Sequence, residues 1–250
     1  MLKCLKKIVK MRKQANNLVF ILPNLFTAAS IFSCVFSIIS AINGEFDKAA
    51  WLIMLSLIFD GLDGRVARLT NTCSKFGVEF DSLADMVAFG VAPALLVYLF
   101  IGHEFERFGV VVSAIFVIFG AIRLARFNVM TVSSEPSVFI GVPIPTAAVF
   151  VSLLVLLFNK YNLGLEYGLI IMFLSILVSI LMVSNIRYPS FKKVDFSPKH
   201  AMKFFVVILS VLLGIFMYPI EGFALIFTLY ILYGLVRAIM LMPKGFFKKK

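Results

Sequence analysis

Along most of its length this chain alternates long apolar stretches with short polar turns. The stretches fall near 18–42, 47–69, 80–102, 108–127, 143–159, 167–185, 203–219 and 222–241. Each is roughly long enough to cross the ~30 Å hydrocarbon layer of a bilayer. No water reaches backbone N–H and C=O groups at that depth, so each stretch must satisfy its own, and separate segments do so as helices. The expected fold is therefore all-α: a polytopic membrane bundle of about eight transmembrane helices. Hydrophobic residues are 61% of the 250, where a soluble domain is usually about half apolar. No polar stretch is long enough to fold by itself, so 1–250 reads as a single membrane domain.

A net charge of +11 could point to nucleic acid, but its distribution points to membrane orientation instead. The segment 1–16 carries Leu2, Leu5, Ile8 and Val9 near helical spacing among six Lys and Arg, which suits an amphipathic helix lying on an anionic leaflet. The run 18–42 behind it is too long for a cleaved signal peptide. With the N-terminus in the cytoplasm and eight spans, only Lys48, Arg107 and Lys160 of the 24 basic residues fall on the far side. That asymmetry predicts an inner (cytoplasmic) membrane protein with both termini inside, the basic tail 242–250 included. Pro23 is expected near the start of the first span, and Pro143 and Pro145 open the fifth, where a missing N–H does no harm. The three cysteines, Cys4, Cys34 and Cys73, are scattered and odd in number, and give neither a disulfide framework nor a Cys/His metal site.

Within this apolar background the stretch 60–85 holds four acids: Asp60, Asp63, Asp81 and Asp85. Ionisable groups at membrane depth are costly and mark function by default. Asp60 and Asp63 are i, i+3, with Gly64 and Ala67 continuing their helical face; Asp81 and Asp85 are i, i+4 on a returning helix. The turn is expected over Thr70–Thr72 with Gly77. Two antiparallel helices then bring the four carboxylates together. Unless some are protonated, they need cations, and oxygen ligands of this kind suit Mg²⁺ or Mn²⁺. Gly64 and Ala67 leave space for a ligand against the backbone, although small residues also serve close helix packing. A buried polar helix interface and a divalent-cation transporter are the competing readings of the acids alone.

The spacing Asp60-x2-Asp63-Gly64-x2-Ala67-Arg68-x8-Gly77-x3-Asp81-x3-Asp85 resembles the signature of the CDP-alcohol phosphotransferases without a departure. The resemblance implies a helical membrane enzyme, commonly a homodimer, with its site open to the cytoplasmic leaflet. It implies that Asp60, Asp63, Asp81 and Asp85 hold divalent metal, two ions of Mg²⁺ or Mn²⁺, with Asp85 also the general base. It further implies that Asp60, Gly64, Ala67, Arg68 and Gly77 border the CDP moiety. Three other stretches resemble the branch of that family that takes L-serine as acceptor and CDP-diacylglycerol as donor. They are Arg123-Leu-Ala-Arg126-Phe-Asn128, Phe139-Ile-Gly141-Val-Pro143-Ile-Pro145 and Met182-Val-Ser184-Asn185-Ile-Arg187-Tyr188-Pro189; Pro23-Asn24-Leu25-Phe26-Thr27 joins them near the start. Arg123 and Arg126 are i, i+3 and can face one cavity, where a guanidinium fork binds a diphosphate or a carboxylate bidentately. As residues they read equally well as positive-inside anchors, as does Arg187. Asn128 and Ser184 are either polar contacts for an amino acid or hydrogen bonders at helix ends. Sibling acceptors, glycerol-3-phosphate or an inositol compound, stay open at this point.

Overall fold

The computed structural model describes residues 2–70, 72, 74–130, 138–189, 213–214 and 216–241, with side chains from residue 21 onward except at 130, 138–140, 187–189 and 237–241. The chain is a polytopic helical membrane protein. Its α-helices among the described residues are α1 (Leu2–Ile42), α2 (Phe46–Leu69), α3 (Lys75–Asp85), α4 (Ala92–Phe100), α5 (Glu106–Met130), α6 (Ile144–Lys160), α7 (Gly168–Val183) and α8 (Pro219–Leu241). A π-helical segment, Met86–Val91, joins α3 to α4. Among the described residues five stretches are long and apolar enough to cross a membrane: Ile21–Ile42, Lys75–Phe100, Gly102–Val129, Leu165–Val183 and Pro219–Val236. α6 is as apolar but only 17 residues long, and α2 has the length but carries the charges of Asp60, Asp63, Arg65 and Arg68 in its second half. Seven of the eight expected segments are thus helices. The seventh, 203–219, lies almost wholly outside the described residues, as does the tail 242–250.

Two details depart from the expectation. The basic segment at the start is continuous with the first span, and Pro23 sits inside that helix rather than in its first turn. Gly77 is not part of the turn but of α3, whose N-cap is Ser74; the Ser74 hydroxyl accepts the Gly77 N–H at 3.0 Å. Serine at an N-cap satisfies a donor that the first helical turn leaves orphaned. The connection is held from the other side by Thr70, which donates to Val66 O at 2.7 Å and pairs with the Thr72 hydroxyl at 2.7 Å.

α1 and α2 form the closest seam of the bundle, and the residues between them explain why. Thr27, Ser30, Ser33, Cys34, Ser37, Ser40 and Ala41 are all buried. Small side chains let helix backbones approach, and their hydroxyls bond across the gap. Ser30 and Ser56 pair at 2.7 Å, and Ser37 donates to the Ala49 carbonyl at 2.7 Å. α6 is the interior helix: its residues Ala147–Leu156 are all buried. Outer helices turn large apolar side chains such as Phe32, Ile58 and Phe173 outward, as lipid contact requires.

Two three-residue strands are added to the all-α plan. β1 (Val138–Ile140) pairs antiparallel with β2 (Arg187–Pro189), Phe139 opposite Tyr188. The ladder continues one bond past the strands, where Gly141 N–H donates to Ile186 O at 2.8 Å, and Val142 N–H reaches Leu181 O in the last turn of α7 at 3.2 Å. This clasp ties the start of α6 to the end of α7. Gly141 makes it possible, with φ +76 and a position where a Cβ would lie 2.3 Å from Met182 O. Both the left-handed backbone and the missing side chain are required there. Gly141→Ala should destabilise the protein by roughly 2–4 kcal/mol, whereas Gly164→Ala, with nothing within 4 Å of its Cβ, should be tolerated. Thermal unfolding of the two variants in detergent checks the difference; equal midpoints would remove the clasp from the fold's stability.

Candidate active site

The α1–α2 seam and the short turn to α3 place the acids opposite one another. One carboxylate oxygen each from Asp60, Asp63 and Asp81 lie within 4.8 Å of one another. The Asp85 carboxyl lies beside that of Asp60, and the Asp81 carboxyl beside that of Asp63. α1 reaches into the group as well: Thr27, itself buried, donates its hydroxyl to Asp63 Oδ2 at 2.6 Å. Asp63 is buried, and Asp60, Asp81 and Asp85 are half-buried. The Oδ1 atoms of Asp81 and Asp85 are buried with no hydrogen-bond partner. No ion pair among the described residues involves any of the four acids.

Asp85 owes its place to the backbone behind it. It is the last residue of α3, and the next six residues are π-helical. The Ala92 N–H donates to Val87 O, an i→i−5 bond. Pro93, in the first turn of α4, has no N–H to continue an α-helical ladder. A π turn takes up one residue more than an α turn and changes the direction in which the helix on either side points its side chains. It thereby sets the phase of α3 independently of α4.

The donor set fits a hard divalent cation. Buried carboxylate oxygens without donors are costly; a Mg²⁺-like ion takes oxygen ligands, keeps some of its water and shares its coordination with phosphate oxygens. Beside the acids, α2 leaves an open strip. A Cβ on Gly61 or Gly64 would meet nothing within 4 Å. Ala67 is half-buried, and exposed Arg68 bends back to donate Nε–H to Gly64 O at 2.9 Å. Gly77 faces a different situation: a Cβ there would lie 3.2 Å from Ser74 Oγ and 3.5 Å from Asn24 Oδ1. It is small because α1 and the cap crowd it.

The end of α5 lies against the same region. Arg123 is buried, donates Nε–H to Val142 O at 2.7 Å and stacks 5.8 Å from the Phe127 ring. Asp85 and Tyr230 of α8 are near enough to act on its charge. Arg126 donates from Nη1 to Val183 O at 3.0 Å and from Nη2 to Asn185 Oδ1. Asn128 donates Nδ2–H to Ser82 Oγ, on α3, at 3.0 Å. Ser184 donates to Leu181 O at 2.8 Å, within its own helix end. The side chain of Arg187 lies outside the described residues. Sequence reasoning named Thr27 only as the end of the resembling stretch Pro23–Thr27, with no role at the acids, and did not single out Ser82 or Tyr230. Thr27 begins the buried hydroxyl series of α1, which is a usable signal; Tyr230 sits in an apolar helix that gives none.

The profile of the family described as CDP-alcohol phosphatidyltransferase matches residues 20–181. A CDP-diacylglycerol–serine O-phosphatidyltransferase of Helicobacter pylori is 54% identical over 235 residues, 93% of this chain and 97% of the relative. One of the same name from Methanocaldococcus jannaschii is 43% identical over 190 residues, 75% of this chain and 83% of the relative. An archaetidylserine synthase of Methanothermobacter thermautotrophicus is 39% identical over 170 residues, 67% of this chain and 69% of the relative.

The carboxylate cluster sets a stability test. In divalent-free solution, Asp81→Asn should raise the unfolding midpoint, by the equivalent of about 1–3 kcal/mol, because one unpartnered buried charge is removed. Mg²⁺ or Mn²⁺ should raise the midpoint of the unmodified protein and leave that of the variant nearly unchanged. An unmodified protein indifferent to both ions would leave the acids without a metal role.

Proposed function

The chain belongs to the CDP-alcohol phosphatidyltransferase family, and we propose that its reaction is transfer of the phosphatidyl group from CDP-diacylglycerol to the hydroxyl of L-serine, giving phosphatidylserine and CMP. The observation that carries the choice of acceptor is the near full-length identity to a relative named for serine. Both further relatives keep serine in their names, while the lipid differs in one of them, the archaetidylserine synthase, so serine is the better supported of the two substrates.

Asp60, Asp63, Asp81 and Asp85 would hold two divalent ions, Mg²⁺ or Mn²⁺, which supply Lewis-acid polarisation and charge neutralisation at a diphosphate. The chain's own residues do the rest. Gly64 and Ala67 leave the α2 backbone open for the cytidine nucleotide, with Asp60, Arg68 and Gly77 along the same border. Asp85 takes the proton of the serine hydroxyl. The serine oxygen forms its bond to the β-phosphorus as the bond from that phosphorus to the bridging oxygen of CMP breaks, and CMP leaves with the electron pair. Arg68 stabilises the departing phosphate. Arg123 keeps its two terminal nitrogens clear of the Val142 bond made by Nε; a guanidinium so anchored can meet the serine carboxylate or the lipid diphosphate with its fork. The acyl chains remain in lipid, and serine reaches the site from the cytoplasm, the side to which the basic residues assign this end of the bundle. The working unit is a homodimer.

Asp85→Asn should lower turnover by about 10²–10⁴-fold while CDP-diacylglycerol still binds; turnover at the unmodified level would show that Asp85 is not the base. Labelled serine, glycerol-3-phosphate and inositol, each supplied with CDP-diacylglycerol and divalent metal, should give labelled lipid and CMP with serine alone. Product from either of the other two, and none from serine, overturns the acceptor. Arg123→Ala should raise the KM of serine or of the CDP-lipid by about tenfold or more, read from initial rates with each substrate varied in turn.

A further inference from the structure

The last turns of α5 touch α3, the start of α6 and the end of α7, each through a polar fastener. Arg123 holds the start of α6 through Val142 O. Arg126 holds the end of α7 through Val183 O and Asn185. Asn128 holds α3 through Ser82, between Asp81 and Asp85. The two segments that the arginines grip are themselves locked together by the bonds from Gly141 to Ile186 and from Val142 to Leu181.

The grip is passed on to Asp85 by packing. Ile144, the first residue of α6, is fully buried. Its Cδ1 occupies the space that a Cβ would need on Gly120 of α5, at 2.7 Å, and approaches that of Gly90, at 3.9 Å. Gly90 belongs to the π segment that follows Asp85. Ile144 is therefore a wedge seated between α5 and the segment that sets the direction of Asp85. If the clasp shifts, the wedge and the π segment shift with it, because a close-packed interior transmits displacement.

We infer that Arg126 and Asn128 are positioning residues, which lock the clasp at Gly141 and the acid-bearing helix α3 to the end of α5 and so hold Asp85 in register with the other acids. Both described donor nitrogens of Arg126 end on the protein itself, unlike the fork of Arg123. Reacting groups misplaced by about 1 Å cost on the order of 100-fold in rate, so a fastener remote from the chemistry can govern turnover. The kinetic part of this inference rests on the transferase reading above; the mechanical part does not.

The test uses Arg126→Ala, Arg126→Lys, Asn185→Ala and the double variant Arg126→Ala with Asn185→Ala, all in the full chain. Hydrogen exchange at the amides of Gly141 and Val142 should quicken about tenfold or more in each, since the clasp opens more often. Turnover with serine should fall roughly 10- to 100-fold, with the KM of serine and of CDP-diacylglycerol changed by no more than about threefold. The double variant should lose little beyond the worse single variant, because both remove one fastener. Lys, which lacks the fork, should not rescue. Asn128→Ala should reproduce the fall in turnover. Unchanged exchange in Arg126→Ala, or a loss confined to the KM of one substrate with Asn185→Ala silent, overturns the inference and makes Arg126 a substrate ligand. If the unmodified protein does not use serine, the proposed acceptor fails, and the exchange readout alone decides the role of Arg126.

Discussion

Mutual repulsion among carboxylates is the interaction that the rest of the structure has to contain. Asp60, Asp63 and Asp81 offer oxygens within 4.8 Å of one another, in a bundle whose outer surface faces hydrocarbon. Like charges so placed push helices apart unless something stronger holds them. The α1–α2 seam fixes the helix that carries Asp60 and Asp63, and the Thr70–Thr72 pair and the Ser74 cap hold the start of α3 against it. The seam's hydroxyl pairs and small buried residues bring two backbones close over several turns, and Thr27 extends the seam to Asp63 itself. A well-packed site that keeps like charges together before any ligand arrives is preorganised for cations and for the phosphates that accompany them.

The parts written in short-range pattern could be read without the structure. Helical spacing placed Asp60 with Asp63 and Asp81 with Asp85 on common faces, and the apolar stretches marked seven helices that the described residues contain. The parts that depend on long-range partners could not. Arg126 meets Val183 and Asn185, 57 and 59 residues away, and no local period encodes such a meeting. The π segment was equally hidden, because a change in backbone hydrogen bonding over six residues leaves the apolar pattern intact. Gly77 and Pro23 look like turn and helix-start residues in isolation, and tertiary crowding and a continuous helix overruled that.

The polar groups around the site divide by the element that carries them. α2 and α3 carry the acids and the open strip beside Gly61 and Gly64, and the family profile covers both. α5 and the clasp carry the arginines, Asn128 and Ser184, the groups that differ in kind from metal ligands. α8 lies beyond the profile, yet brings Tyr230 toward Arg123. The acids and the arginines are therefore carried on separate helices, which come together near Asp85.

The π segment has a consequence for how this chain tolerates change in length. It holds one residue more per turn than the helices it joins. Each residue of an α-helix advances the face by about 100°, so losing one residue between Met86 and Val91 could convert the π turn to an ordinary helical one. α4 would stay in the membrane, its apolar surface intact, while α3 turned by that angle relative to it. The acids of α3 would then swing off the face that meets Asp60 and Asp63. A six-residue stretch without a charged side chain thus acts as the phase adjuster between a helix that answers to lipid and a helix that answers to chemistry.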